Sequence, residues 1–404
     1  MKKSSLKDVF KVVAAKYLSV VDANPNRSNQ HEFGGLSALK TLWGETEDRI
    51  FAQFIYFDSH SEEPLSEDGF ITWYDARSKN PDRHPEWRIY YQSNSVTKKM
   101  KEGDLLIVSE IASGKAIIAI AEKDSTYATQ LLNLFGIQEI QARGFTVVDL
   151  DSGEELSLAS RYILDTIGIQ YEFSDENYLD KIIYEFGNEF PNCTSFSSFA
   201  QNTFPSDFAT SETDDEVIIQ WLEREELLFR TLENHLVSCK IKEGFSDVES
   251  FIKYSLSVLN RRKSRAGKSF ENHLEALFKI RKIRYSREAI TENRVRPDFL
   301  FPSIEAYNDG SFDASLLTML GVKTTCKDRW RQVLSEAARI SNKHLITMEP
   351  AISHHQLDEM RTSFLQLIVP EKIKPTYSSE DQKWIWNIQT FISYIKDKEN
   401  RLSQ

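Results

Sequence analysis

The sequence predicts a multidomain α+β protein, with a small β domain at the N-terminal end and an α/β core at the C-terminal end. Two observations carry this. Before residue 125 the apolar residues collect in short β-branched and aromatic runs divided by turn-rich segments. From Gly267 to Val369 helical and strand patterns alternate, the layer order of an α/β domain. A chain of 404 residues is long enough for two or three domains with their own cores, and 40% hydrophobic residues can fill them.

Taken in order, the first half opens on an expected helix over Leu6–Tyr17, and a second is expected over Leu36–Trp43. Strands are expected at Arg49–Phe57, Trp87–Gln92, Asp104–Val108 and Lys115–Ala121. Pieces such as DANPNRSNQ and HSEEPLSEDG read as turns between them. Together these imply a small barrel-like β domain over residues 1–145. Residues 146–216 read as a mixed connecting region, and its last part, Gln201–Glu216, is poor in apolar residues and reads as a linker. Residues 217–404 form the second domain. Thr213 and Glu216 have capping-box spacing before a helix whose Ile218, Leu222, Leu228, Leu232 and Leu236 lie near one face. Helices follow at Val248–Leu259 and Phe270–Lys279, then strands around Asp298 and at Leu316–Thr324. A helix over Trp330–Ile340, strands at His344–Met348 and Leu365–Val369, and a closing helix striped by Trp384, Ile388, Phe391 and Ile395 complete the pattern.

Composition excludes several classes. A formal net charge of -11 opposes general coating of nucleic acid but allows a local basic cleft. Cys193, Cys239 and Cys326 form no CxxC pair and no disulfide framework, which points to a reducing, cytoplasmic setting. No apolar run approaches the roughly 20 residues of a spanning helix, so no membrane partner is expected. The histidines lack the spacing of a zinc site.

Four segments can carry chemistry. Pro297–Asp298 and Gly321-Val322-Lys323 would place a carboxylate and a lysine at one end of neighbouring strands. A carboxylate binds a hard cation such as Mg²⁺ through oxygen, and a lysine beside it can orient water at a phosphodiester. The usual pattern, PD-(D/E)xK, has a second acid two residues before the lysine. Here Gly321 occupies that place and cannot ligate a metal. Glu336, on the following helix, and Glu271, on the helix opened by GKSFE, are the acids that can return to the same point. Without them, a surface PD and a salt-bridged lysine would look the same. Lys327, Asp328 and Arg329 alternate donor, acceptor and donor, which suits adjacent C·G pairs in a major groove, though an Asp also suits a plain helix start. Arg261, Arg262, Lys263, Arg265 and Lys268 form a basic run suited to phosphate. Its GKS is not a P-loop, because Arg262 stands where the first glycine is needed. Last, Ala23–Glu32 and Tyr74–Arg88 are polar segments rich in side chains that read bases and phosphates.

With these residues in view, NRRKSRAGKSFENHLEALF, AITENRVRPDFLFPS and LGVKTTCKDRWRQVLSEA closely resemble the catalytic domain of the EcoRII family of restriction endonucleases, over about Glu225 to Val369. The resemblance implies a restriction-endonuclease-like core. It implies that Asp298 and Lys323 are the catalytic pair, that Glu336 is the displaced metal-binding acid and that Glu271 is the acid of the first core helix. It makes Lys327, Asp328 and Arg329 the readers of CC:GG, within a CCWGG-like site. It implies Mg²⁺ as cofactor, double-stranded DNA as substrate, a homodimer through the C-terminal domain, and a cognate DNA methyltransferase that protects the host. The first domain resembles, more weakly, the B3-like pseudobarrel that serves that family as effector domain. Its two DNA-clamping arms would be Arg27, Asn29, Gln30, His31 and Glu32, and Tyr74, Arg77, Glu86 and Arg88. His84–Pro85 alters the spacing in the second arm. Two rival functions are a non-cleaving B3-like regulator and an endonuclease that requires modified cytosine.

Overall fold

The computed structural model describes residues 2–23, 31–34, 39–59, 61, 63–79, 82–111, 114–141, 144–148, 150, 155–326 and 329–402. The chain is a mixed α+β protein that divides into two compact units. The first holds residues 4–171 with 351–355; the second holds residues 1–3, 172–350 and 356–404. Among the described residues no helix is long and apolar enough to cross a membrane.

The first unit is an eight-stranded sheet: β1 (Phe10–Tyr17), β2 (Glu32–Phe33), β3 (Asp48–Phe57), β4 (Leu65–Asp75), β5 (Trp87–Tyr91), β6 (Leu105–Ile111), β7 (Ala116–Ala121) and β8 (Thr146–Val148). Its order is β2-β5-β4-β3-β7-β6-β1-β8, antiparallel except for β3 beside β7. Alternate residues of nearly every strand, among them Ala14, Phe33, Phe54, Trp73, Ile89, Leu106 and Ile118, meet in one buried cluster, so the sheet curls around its own core. The opposite face carries a second cluster, covered by α1 (Thr126–Leu134) and α2 (Leu158–Thr166).

Two elements here differ from expectation. The helix expected over Leu6–Tyr17 lasts one turn, Leu6–Val9, and Phe10–Tyr17 is a strand. Pairing on both sides, with β6 and β8, overrides a pattern that short apolar runs leave ambiguous. Leu65–Asp75, part of which reads as a turn, is the longest strand of the sheet. Its polar residues alternate outward while it pairs with β3 from Tyr56↔Leu65 to Asp48↔Trp73. Of the helix expected over Leu36–Trp43, Lys40–Trp43 is present, and residues 36–38 lie outside the described residues.

The second unit begins earlier than the sequence implies. Lys2–Lys3 pairs with Phe173–Ser174, and α3 (Leu179–Phe186) and α4 (Cys193–Asn202) pack on α5 (Asp214–Glu243) through Ile182, Phe196, Leu228, Phe229 and Leu232. The expected linker Gln201–Glu216 is therefore part of a folded unit. Gln201 bonds His273 at 2.9 Å, Arg281 bonds Asp214 at 2.6 Å, and buried Asp215 accepts the backbone N–H groups of Glu371, Ile388 and Gln389. Its low apolar content reflects these polar anchors.

The helices expected at Val248–Leu259 and Phe270–Lys279 are one, α6 (Val248–Ile280). The sheet beside it runs β9 (Ser286–Arg287), β10 (Phe299–Phe301), β11 (Thr318–Lys323), β12 (Lys343–Thr347), β13 (Leu365–Ile368). The first two pairings are antiparallel and the last two parallel. Phe299 and Phe301 point to one face, where Phe278 of α6 meets both rings edge-on at 5.2 and 5.4 Å. Phe391 of the last helix, α9 (Ile388–Leu402), meets Phe301 at 5.8 Å on that face. Two shorter helices, α7 (Trp330–Leu334) and α8 (His354–Thr362), link the parallel strands. His344 is a core residue among Trp386, Phe391 and Tyr394, and burial lowers its pKa to about 3.

Candidate active site and reading loop

Strand alternation turns Asp298, Gly321 and Lys323 to the face opposite Phe299. Past the Phe299↔Leu320 pair the ladder leaves the Val322 N–H without a strand partner, and the Asp298 carboxylate takes it at 2.7 Å. The same oxygen, Oδ2, accepts the Lys323 ammonium at 2.9 Å. The two side chains are largely buried, at 16% and 14% exposure, which strengthens their pairing relative to a surface bridge.

Gly321 explains why the second acid is elsewhere. A Cβ at that position would stand 2.9 Å from Cγ2 of Val333 and 3.2 Å from Cγ1. The strand needs a bare backbone there because α7 rests on it. An acidic side chain in that place would displace the helix.

The acid arrives from beyond α7 instead. The helix expected to run to Ile340 stops at Leu334, and Glu336 sits in the turn that follows. Ala337, three residues past the helix, has φ +47°, a left-handed conformation within that turn. The buried Lys343 ammonium donates to the carbonyls of Glu336, Ala337 (3.1 Å) and Ile340 (3.0 Å). Arg339 ties the same turn to the carbonyls of Tyr307, Asp309 and Phe312. Glu336 is only 6% exposed, and its Oε2 has no hydrogen-bond partner. Burial pushes its pKa up to about 7. Lys323 and Lys343 oppose that rise, and Asp298 adds to it.

A buried carboxylate oxygen with no donor, electrostatically coupled to a second carboxylate, fits a divalent cation. Asp298 Oδ2 takes two donors, and Asp298 Oδ1 and the unpartnered Glu336 Oε2 are carboxylate oxygens suited to hold it. No cluster of three or more His, Cys, Asp or Glu converges among those residues. Two protein oxygens match the way Mg²⁺ is held, since that ion keeps water and takes phosphate oxygens.

Glu271 does not join the pair directly. It accepts Arg287 at 2.9 Å and Lys268 at 3.1 Å. The basic run also differs from expectation. Arg262 is bound bidentately by Glu233, and buried Arg265 pairs with Glu225 and Glu226. These two arginines lock α6 to the acidic face of α5 rather than presenting charge to phosphate. Arg261 lies 3.9 Å over the Phe190 ring, Lys268 bridges Glu271 and Glu288, and Lys263 is exposed.

Beyond Lys323 the chain turns at Cys326. The Cys326 N–H is held by the buried Glu349 carboxylate, and its carbonyl accepts Arg329 N–H at 2.7 Å. Arg329 is exposed at the start of α7. Lys327 and Asp328 lie outside the described residues. Glu349, Lys343 and Arg339 were not legible as site residues, because each acts on main chain, which leaves no side-chain pattern: Glu349 and Arg339 on distant segments, Lys343 on the turn just before its own strand.

In the first unit, five of the arm residues form one network across β2, β4 and β5. Arg88 donates to Glu32 at 2.8 Å and to Glu86 at 2.6 Å, Arg77 pairs with Glu86 at 2.5 Å, and the Tyr74 hydroxyl donates to Glu32. Burial and the Glu32 carboxylate raise the Tyr74 pKa. His31 packs edge-on against Tyr91 at 5.8 Å. Arg27, Asn29 and Gln30 lie outside the described residues.

Residues 229–392 match the family model described as EcoRII C terminal. The type II restriction enzyme EcoRII of Escherichia coli is 47% identical over 156 residues, which cover 38% of this chain and 39% of that protein. The match thus spans well under half the length of that relative. Among solved structures, the restriction endonuclease PspGI–substrate DNA complex aligns over 52% of this chain and 94% of its own, with 17% identity and a TM-score of 0.45. Metal-depleted Ecl18kI in complex with uncleaved DNA aligns over 56% and 86%, with 16% identity and a TM-score of 0.45.

Proposed function

We propose that this chain, whose residues 229–392 form an EcoRII C-terminal domain, is a type II site-specific deoxyribonuclease that cleaves double-stranded DNA with Mg²⁺. The observation that carries the reading is the Asp298–Lys323 pair with the Glu336 carboxylate electrostatically coupled to both and its Oε2 unpartnered. Asp298 and Glu336 would hold the cation. When bound, the ion would neutralise charge on the scissile phosphate and lower the pKa of attacking water. Lys323, fixed by Asp298, would orient that water and balance the phosphate. Glu271 would act through Arg287, a neighbour of Phe299 in the sheet.

Lys327, Asp328 and Arg329 would read the CC:GG part of a CCWGG-like site in the major groove, and they follow Cys326, whose N–H the Glu349 carboxylate holds. A symmetric site cut on both strands calls for two copies of the chain, and a cognate methyltransferase would protect the host. The first unit would be a B3-like effector that binds a second copy of the site through its Glu32, Tyr74, Arg77, Glu86 and Arg88 network and the adjoining Arg27–His31 segment. The test is digestion of plasmid DNA by the full chain with Mg²⁺, followed by sequencing of the fragment ends. Ends that share a CC/GG-containing sequence support the reading, and absence of cleavage on both methylated and unmethylated DNA refutes it.

A further inference from the structure

Lys343 is an unexpected residue at the start of a core strand. It is 6% exposed, and its own N–H is paired in the sheet region with Phe364 O at 3.0 Å. An ammonium has three protons, and burial demands a partner for each. All three partners are main-chain carbonyls of a single turn: Glu336, Ala337 and Ile340.

Arg339 anchors that turn to the carbonyls of Tyr307, Asp309 and Phe312, but none of those bonds involves Glu336. The turn follows a helix of only five residues and contains Ala337 at φ +47°, where glycine is the usual choice. A cation that gathers three carbonyls, that of Glu336 among them, holds the residue that Arg339 leaves unanchored. The Glu336 side chain leaves the same turn, and none of the three donors is spent on its carboxylate. Lys343 therefore brings a positive charge near Glu336 without a bond to its carboxylate, whose Oε2 has no hydrogen-bond partner. A direct bridge would compete with a metal ion; a bond to the carbonyl of the same residue does not.

We propose that Lys343 is a positioning residue for the divalent cation, fixing the turn that presents the Glu336 carboxylate while leaving that carboxylate open. The inference rests on the reading of Glu336 as a cation ligand. Residues that orient a ligand from behind are worth about tenfold or more in metal affinity.

The experiment measures Mn²⁺ binding to the full chain without DNA, from the loss of the free-ion magnetic resonance signal. Lys343→Met keeps the length and removes every donor, and Lys343→Gln keeps two donors without the charge. Glu336→Gln removes the ligand, and Lys343→Met/Glu336→Gln closes the cycle. The midpoint should rise about tenfold in Lys343→Met and less in Lys343→Gln. Lys343→Met should add nothing in the Glu336→Gln background, since it acts through that side chain. Additive losses, or an unchanged midpoint in either Lys343 variant, overturn the proposal. If Lys343→Met does not fold, Lys343→Gln alone decides. Equal Mn²⁺ binding by the parent and Glu336→Gln would instead remove the ligand reading on which the proposal depends.

Discussion

Glu336→Gln should make the protein more stable at pH 8 while abolishing metal-dependent cleavage. The carboxyl is 6% exposed with an unpartnered oxygen, and its pKa stands at about 7 against an ordinary 4.5. The sign follows from proton counting. Between those values the folded chain holds a proton that the unfolded chain has released, so the stability contribution is full below 4.5 and is lost as pH rises through 7. Each pKa unit is worth about 1.4 kcal/mol, so the ionised carboxylate costs the fold about 3 kcal/mol at pH 8. The amide of Gln must itself find partners, which returns part of that, and a net gain of about 1–2 kcal/mol remains. For a unit of this size that is a rise of about 2–8 °C in Tm. Thermal unfolding of parent and variant at pH 4 and pH 8 checks it. The gain should be confined to the higher pH, and Mg²⁺ should raise the Tm of the parent but not of the variant. A variant less stable than the parent at pH 8, or shifted equally at both pH values, would refute the argument that this acid is buried for a cation.

Three further perturbations follow from the same geometry. Gly321→Ala sets a Cβ 2.9 Å from Val333, so it should cost about 1–3 kcal/mol in urea unfolding and lower cleavage by moving α7 and Glu336; adding Val333→Ala should recover part of both, and failure of that rescue would dissociate the two sites. Lys323→Ala should abolish cleavage yet keep sequence-specific binding in a Ca²⁺ gel-shift assay, because most affinity comes from other phosphate and base contacts; cleavage at the parental rate would remove its catalytic role. A fragment beginning at Thr213 should fold less stably by several kcal/mol than one beginning at Glu172, because it loses α4 with buried Phe196 and the Gln201–His273 and Asn272–Ser197 bonds; equal urea midpoints would show that Glu172–Glu212 is dispensable.

The parts of the fold that were legible in the sequence are those whose signal is local. Phe299–Phe301, Thr318–Lys323 and the strands over Asp48–Phe57 and Ala116–Ala121 are apolar runs bounded by breakers, and they form where expected. Leu65–Asp75 was hidden because a strand that opens Ser66-Glu67-Asp68-Gly69 resembles a turn until its partner is known. The ion pairs of Arg262 and Arg265 in the basic run Arg261–Lys268 were hidden for the converse reason. Read alone it is a patch of charge; in the structure Arg262 and Arg265 are matched to Glu233, Glu225 and Glu226, about thirty to forty positions earlier on α5.

The site divides in the same way. Asp298 and Lys323 can be read from spacing because adjacent antiparallel strands bring them together with one register, Phe299↔Leu320. Gly321 can be read as a missing acid, but not as a necessary one, since the side chain that forbids a Cβ belongs to Val333 on the next element. Glu336 can be read as a replacement only from the acid's presence. Its position depends on a helix that stops early, and the stop is enforced by a lysine seven residues further on that has no pattern of its own. The displacement of the acid thus has a structural logic. Once α7 packs on a bare strand, the ligand must come from the far end of that helix, and a short helix needs something to hold its end. Gly321, Val333, Glu336 and Lys343 are four consequences of one packing choice, so substitutions among them should be non-additive in urea unfolding and Mn²⁺ binding, and additive losses in both measurements would refute the shared origin.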